Sequence, residues 1–182
     1  MKALDPSRGL RPGELPRFLA WEALLTIRAA LEPTIDRDLK ARCGLPFTWF
    51  DVLFQLNQVP KQRLLMHELA AALLLSKSGL TRLVDRIEEA DLVRREALDG
   101  RSTYVAMTHA GMTAFKRAMP FVQASIRHHF ARHIHDAEIA VVEPVLTRIA
   151  RAARHQGTHV PPHAKDQHGQ SQSTTRLGAL RK

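Results

Sequence analysis

The stretch from Glu68 to Gly111 constrains this fold more than any other part of the chain. Glu68 to Leu74 is apolar at helical spacing and predicts a helix. Ser76 then stands where an N-cap belongs, its hydroxyl placed to accept from the backbone N–H two or three residues on. A second helix follows. Leu80, Leu83, Val84 and Ile87 share its apolar face, and Ser78, Thr81, Arg82 and Asp85 share the opposite one. After Ala90 the pattern changes to two strand-like runs, Leu92 to Glu96 and Ser102 to Met107. Asp99-Gly100 between them is a hairpin-turn signal. Thr108 is placed to cap the next helix.

Two helices on a tight turn, followed at once by a hairpin, make a winged helix-turn-helix. The second helix of such a pair fits a DNA major groove. Residues at its start must be small or hydrogen-bonding to approach base edges, and here they are Ser76, Lys77, Ser78 and Gly79. Free N–H groups at a helix start also suit a phosphate. Arg101 at the hairpin tip is placed to reach a minor groove or the backbone.

The flanks predict helices. Leu15, Phe18, Leu19, Leu24, Ile27, Leu31, Ile35 and Leu39 set a rhythm of three and four, with Pro33 expected to kink or divide the helix. A second helix spans about Thr48 to Asn57, with Phe47, Phe50, Leu53, Phe54 and Leu56 as its apolar residues; Pro60 ends it, and Arg63 to Met66 reads as a short strand. Beyond Thr108, the spacing of Met112, Phe115, Met119, Val122 and Ile126 resembles a coiled-coil seam, which Pro120 should bend. Asp136 is read as the cap of a last helix, with Ile139, Val142, Val145, Leu146 and Ile149 on one face and Pro144 inside it. The fold class is therefore mainly α with a small β wing: a winged helix-turn-helix lobe at about 61–108 and a helical dimerisation region at about 14–42 and 108–153. Residues 1–13 read as a flexible leader, 14–155 as the domain and 156–182 as a disordered basic tail.

The formal charge of +9 invites a nucleic-acid partner, but residues 14–150 carry 18 basic and 16 acidic side chains, while 151–182 carry six basic and one acidic. Most of the excess lies in the tail, so charge alone does not mark the folded part as a DNA binder. No uncharged apolar run approaches the roughly 18 residues of a membrane span, and Met1 to Gly9 has no signal-peptide core. A single cysteine excludes an internal disulfide framework. A soluble cytoplasmic protein without cofactor is expected, and no nucleophile elbow, P-loop, dinucleotide fingerprint or HExxH points to an enzyme.

The stretch ELAAALLLSKSGLTRLVDRIEEADLVRREALDGRSTYVAMTHAG resembles the multiple-antibiotic-resistance regulator (MarR) family. The recognition segment SKSGLTRLVDRIE, the LVRRE strand, the Asp99/Arg101 wing pair and Met107-Thr108-x-x-Gly111 match in order, within a likeness covering about residues 14–153. The resemblance implies a dimeric winged-helix repressor or activator with double-stranded DNA, a second copy of itself and a small-molecule effector as partners. It implies DNA contact by Ser76, Ser78, Thr81, Arg82 and Arg86, with Lys77 on phosphate. It further implies that Arg101 enters the minor groove while Asp99 orients its guanidinium. The alternative for Arg82 and Arg86 is surface ion pairing with Asp85, Glu88 or Glu89. The chain departs from the family in Asp91, where Gly is usual, in His67, where a Ser or Thr cap is usual, in Pro144, and in a wing about two residues short.

Three further groups stand out. Phe18, Trp21, Trp49, Phe50, Asp51, Phe54 and Phe115 are candidates for a ligand pocket, with core packing as the alternative. His128, His129, His133 and His135 cluster. His129 and His133, spaced i,i+4, would share a helix face as metal ligands, with Asp136 or Glu138 completing a site; solvated helix-end histidines are the preferred reading. Cys43 is read as a half-buried packing residue rather than a peroxide-sensing thiol. A metal- or thiol-responsive regulator and a winged helix used for protein contacts remain the alternative functions.

Overall fold

The computed structural model describes residues 11–98 and 102–155. Its elements are α1 (Leu15–Cys43), α2 (Phe47–Asn57), β1 (Arg63–Leu65), α3 (Met66–Leu73), α4 (Lys77–Glu89), β2 (Val93–Ala97), β3 (Thr103–Met107), α5 (His109–His129) and α6 (Asp136–His155). Short 3-10 turns occupy Pro60–Gln62 and Ala131–His133. The contacts divide the chain at Glu138 and Ile139, within α6. Among the described residues no helix is long and apolar enough to cross a membrane.

One core serves the first unit. Leu53, Leu56, Leu69, Leu80, Val84, Ile87, Val93 and Val105 are fully buried together, with Phe50 and Phe115 beside them. The sheet is antiparallel in the order β1-β3-β2, so Val105 on the central strand stands between Leu64 and Arg95. Strand alternation then puts Leu64, Val105 and Arg95 on one face and Arg63, Tyr104, Arg94 and Glu96 on the other.

The junction between wing and α5 is tightly built. Asp91 has φ +57°, the left-handed conformation that its short polar side chain tolerates where Gly would be usual. Thr108 donates from Oγ1 to the Asp91 carbonyl (2.6 Å) and accepts the Gly111 N–H (2.9 Å), so one hydroxyl caps α5 and ties it to the end of α4. A Cβ on Gly111 would stand 2.0 Å from the Leu92 carbonyl oxygen, which is why no side chain fits there.

Several expectations need correction. Pro33 does not divide the first helix: α1 is continuous, and Thr34 Oγ1 donates to the Ala30 carbonyl (3.0 Å) in that turn. Its long apolar rhythm is buried only at Ile35, Leu39 and Cys43, near α5, where Arg117 donates to the Cys43 carbonyl (2.9 Å). Toward the N-terminus, Phe18, Leu19, Trp21, Leu25 and Ile27 are exposed, Trp21 at 56%. Cys43 is buried, not half-buried.

α3 begins at Met66, two residues before the expected start, so His67 lies in its first turn and is no cap; the Glu68 carboxylate accepts the Leu65 N–H instead (2.9 Å). Pro120 leaves α5 continuous. The buried stripe of α5 is Gly111, Phe115, Ala118, Val122 and Ser125, one step round from the expected seam, and Ile126 is exposed. In α6, Asp136 opens the first turn, and Glu138 supplies the carboxylate that accepts the His135 N–H (2.8 Å).

Candidate nucleic-acid interface

α4 owes its position to its apolar face. Leu80, Val84 and Ile87 are buried in the core. That burial turns Ser78, Arg82 and Arg86 outward, all three exposed together with Ser76, Lys77 and Thr81. Ser76 caps the helix by accepting the Gly79 N–H at Oγ (3.1 Å), and its Oγ lies 3.3 Å from that of Ser78. Thr81 Oγ1 donates to the Lys77 carbonyl (2.9 Å), leaving its oxygen lone pairs and methyl group for a partner. Arg82 makes one long bond, from Nε to the Ser78 carbonyl (3.4 Å).

Two of the three carboxylates that might have paired with Arg82 and Arg86, those of Asp85 and Glu88, are engaged elsewhere. Arg95 on β2 donates to Asp85 Oδ1 (2.6 Å) and to Glu88 Oε2, while its backbone N–H donates to Glu88 Oε1 (2.7 Å). Among the described residues neither Arg82 nor Arg86 has an ion pair, and Lys77 has none. The alternative in which Asp85 or Glu88 pairs with Arg82 or Arg86 is therefore not what the side chains do. The sequence reading missed Arg95; its place in LVRRE, one face over from Arg94, was the available signal. Asp99 and Arg101 lie outside the described residues.

The other wing face is also charged. Glu96 accepts from Arg94 (2.8 Å) and Arg63 (3.3 Å), and Arg63 lies over the Tyr104 ring at 4.6 Å. The hydrogen bond from Arg94, then that from Arg63, holds the Glu96 carboxyl below its usual range.

The candidate pocket residues separate into three groups. Phe50, Phe54 and Phe115 pack together with Phe47, Phe50 and Phe115 having ring centroids 5.5 Å apart, and Trp49 packs beside them. Phe18 and Trp21 are exposed on the N-terminal part of α1 and do not join that cluster. Asp51 is half-buried; burial pushes its carboxyl up, with Glu32 adding to the rise against a hydrogen bond from Gln55. The nearby open cleft, about 530 Å³ between α1 and α2, is lined instead by Leu25, Arg28, Glu32, Pro33, Asp36 and Phe47 among others. The proposed histidine pair is not on one helix: His129 ends α5, whereas His133 lies in the following 3-10 turn and accepts from Arg132 (3.2 Å). No group of three metal-ligating side chains occurs among the described residues.

With this geometry in place, the match to the MarR family model over residues 44–102 falls on α2 to the wing. The chain is similar to MarR-family regulators in fold and, over residues 44–102, in sequence. Two Streptomyces coelicolor MarR-family transcriptional regulators resemble it along most of their length. AbsC is 29% identical, with a TM-score of 0.70 over 82% of this chain and 99% of AbsC. Sco3205, solved in complex with DNA, is 25% identical, with a TM-score of 0.69 over 76% of this chain and 91% of its own. The organohalide-sensing regulator RdhR-CbdbA1625, in its 2,4-dichlorophenol-bound form, shares the fold at 15% identity, with a TM-score of 0.68 over 89% of this chain and 95% of its own. No match was found among curated proteins. MarR-family regulators are DNA-binding transcription factors and not enzymes.

Proposed function

We propose that the chain is a homodimeric transcription regulator, a repressor that reads a pseudo-palindromic operator in duplex DNA and is released by a small, aromatic effector. The observation that carries this reading is the exposed row of Lys77, Arg82 and Arg86, beside Ser78 and Thr81, with no carboxylate partner among the described residues. Unpaired cations on a helix narrow enough for the major groove suit phosphates and base edges. The DNA complex of Sco3205 supports the same reading. Two such helices in a two-fold dimer would meet half-sites about one helical turn apart.

Support for the dimer comes from apolar surface left in water. Phe18, Leu19, Trp21, Leu25 and Ile27 are exposed on α1, and so, in the second unit, are Ile139, Val141 and Ile149. Apolar clusters of this kind mark contact surfaces. Sedimentation at micromolar concentration is expected to give a dimer; a monomer there overturns that part. An effector in the cleft between α1 and α2 would act by favouring one spacing of the two recognition helices.

The test of the DNA reading is a salt titration of binding to duplex DNA by the full chain. Counterion release makes affinity fall steeply with salt when phosphates are contacted. Absent or salt-insensitive binding would instead favour a winged helix used for protein contacts.

A further inference from the structure

We propose that Arg95 is a positioning residue for DNA binding: it withdraws two recognition-helix carboxylates from the DNA side and so keeps Arg82 available. The inference rests on the reading of α4 as the recognition helix. Its own basis is the geometry at the α4–β2 contact. The Arg95 guanidinium donates to Asp85 Oδ1 (2.6 Å), to Glu88 Oε2 and to the Thr81 carbonyl (3.3 Å). Residues 81, 85 and 88 follow one another at helical spacing, so a single planar fork spans a stripe two turns long. The Arg95 side chain is only 28% exposed, and its backbone N–H also donates to Glu88 (2.7 Å). The wing strand is thereby fastened to the recognition helix at one residue.

The placement of Asp85 gives this clamp a functional consequence. By helical phase, Asp85 borders the exposed stripe that carries Ser78 and Arg82. It is also three residues from Arg82, within reach for an intrahelical ion pair. Without Arg95, Asp85 has two alternatives, both adverse to DNA binding. It can pair with Arg82 and remove that cation from DNA, or it can stay unpaired and present a negative charge to the phosphates. Glu88, one turn on, loses its charge partner as well. Arg95 prevents both outcomes with no contact to DNA of its own.

The test compares full-length wild type, R95Q, R95K, D85N/E88Q and R95Q/D85N/E88Q for affinity to duplex DNA at fixed salt, with thermal melts checking that each variant is folded. Like-charge juxtaposition at a charged interface predicts that R95Q binds about tenfold more weakly than wild type. Removing the carboxylates in the same background should restore binding to within about threefold, since the repulsion disappears with them. D85N/E88Q should bind no more weakly than wild type. R95K, which keeps the charge but lacks the fork, should fall between wild type and R95Q. A purely structural role would leave the triple variant as weak as R95Q, and that result overturns the inference; so does an R95Q that binds like wild type. If R95Q does not fold, the D85N/E88Q comparison decides, because weaker binding by that variant contradicts the inference. Wild type that fails to bind duplex DNA removes the DNA-binding reading, and this inference falls with it.

Discussion

α4 and the N-terminal part of α1 both carry apolar residues at helical spacing, yet the fold treats them differently. In α4 every apolar side chain at core spacing finds its place within the chain, and what remains outside is polar or charged. In α1 the burial stops at Ile35; Phe18, Leu19, Trp21, Leu25 and Ile27 remain in water. α4 is complete as a folded element, whereas the N-terminal part of α1 leaves apolar side chains uncovered by its own chain. On the proposed function, the surface left unfilled by the chain's own packing fits two kinds of partner, a polyanion for α4 and an apolar surface for α1.

Core truncation should expose this contrast most strongly. Leu80→Ala, at a site 1% exposed, should destabilise the fold by about 2–5 kcal/mol in denaturant unfolding. Leu25→Ala, at a site 48% exposed, should cost less than about 0.5 kcal/mol when the protein is dilute. Its cost should grow with protein concentration if a second copy covers α1. A concentration-independent loss as large as that of Leu80→Ala would show that α1 packs within its own chain.

The next effect is on binding alone. Arg82→Ala should weaken operator binding by about 1–3 kcal/mol while leaving the melting temperature unchanged. Unchanged affinity would remove Arg82 from the interface and weaken the case for α4 as the reading helix.

Smaller effects test local chemistry. Leu74 ends α3 in the left-handed conformation, φ +55°, and is 69% exposed. Leu74→Gly relieves that strain and should stabilise the protein by up to about 1 kcal/mol in thermal unfolding. Smaller still is a pair of opposite pH responses on α1 and α2. The Asp36 carboxylate accepts from Lys40 (2.7 Å) and from the Phe47 N–H (2.9 Å), and the Lys40 bond holds its carboxyl below the usual range. Its contribution is present above the unfolded carboxylate range and is lost as pH falls through the lowered value, so Asp36→Asn should flatten the acid limb of the stability profile. Asp51 is raised, first by burial, so its ionisation costs stability as pH rises past the unfolded range; Asp51→Asn should remove that cost at neutral pH.

Local chemistry explains what could be read from the sequence. The caps at Ser76 and Thr108, the inward face of α4, the hairpin strands and the left-handed Asp91 each depend on a few neighbouring residues. The elements that were misplaced depend on partners distant in sequence. Which stripe of α5 is buried is decided by packing against α1 and α2, and the start of α3 is set by Leu65 pairing with Tyr104 in the sheet. The histidine pair failed because the chain leaves the α-helix between its members, after His129. The face of Arg95 could be read from LVRRE, but its charged partners could not, since they lie seven and ten residues back on α4. The cations of α4 were legible as residues, but that Asp85 and Glu88 do not pair with them was not, because Arg95 holds those two carboxylates.

The most direct test of the central claim is selection of bound duplexes from a random DNA pool, run in parallel with wild type and Arg82→Ala. The account predicts that wild type enriches a two-fold-symmetric motif with half-sites about one helical turn apart, and that Arg82→Ala loses preference at discrete positions within each half-site. A wild-type pool without sequence enrichment would contradict the claim that the outward face of α4 reads DNA.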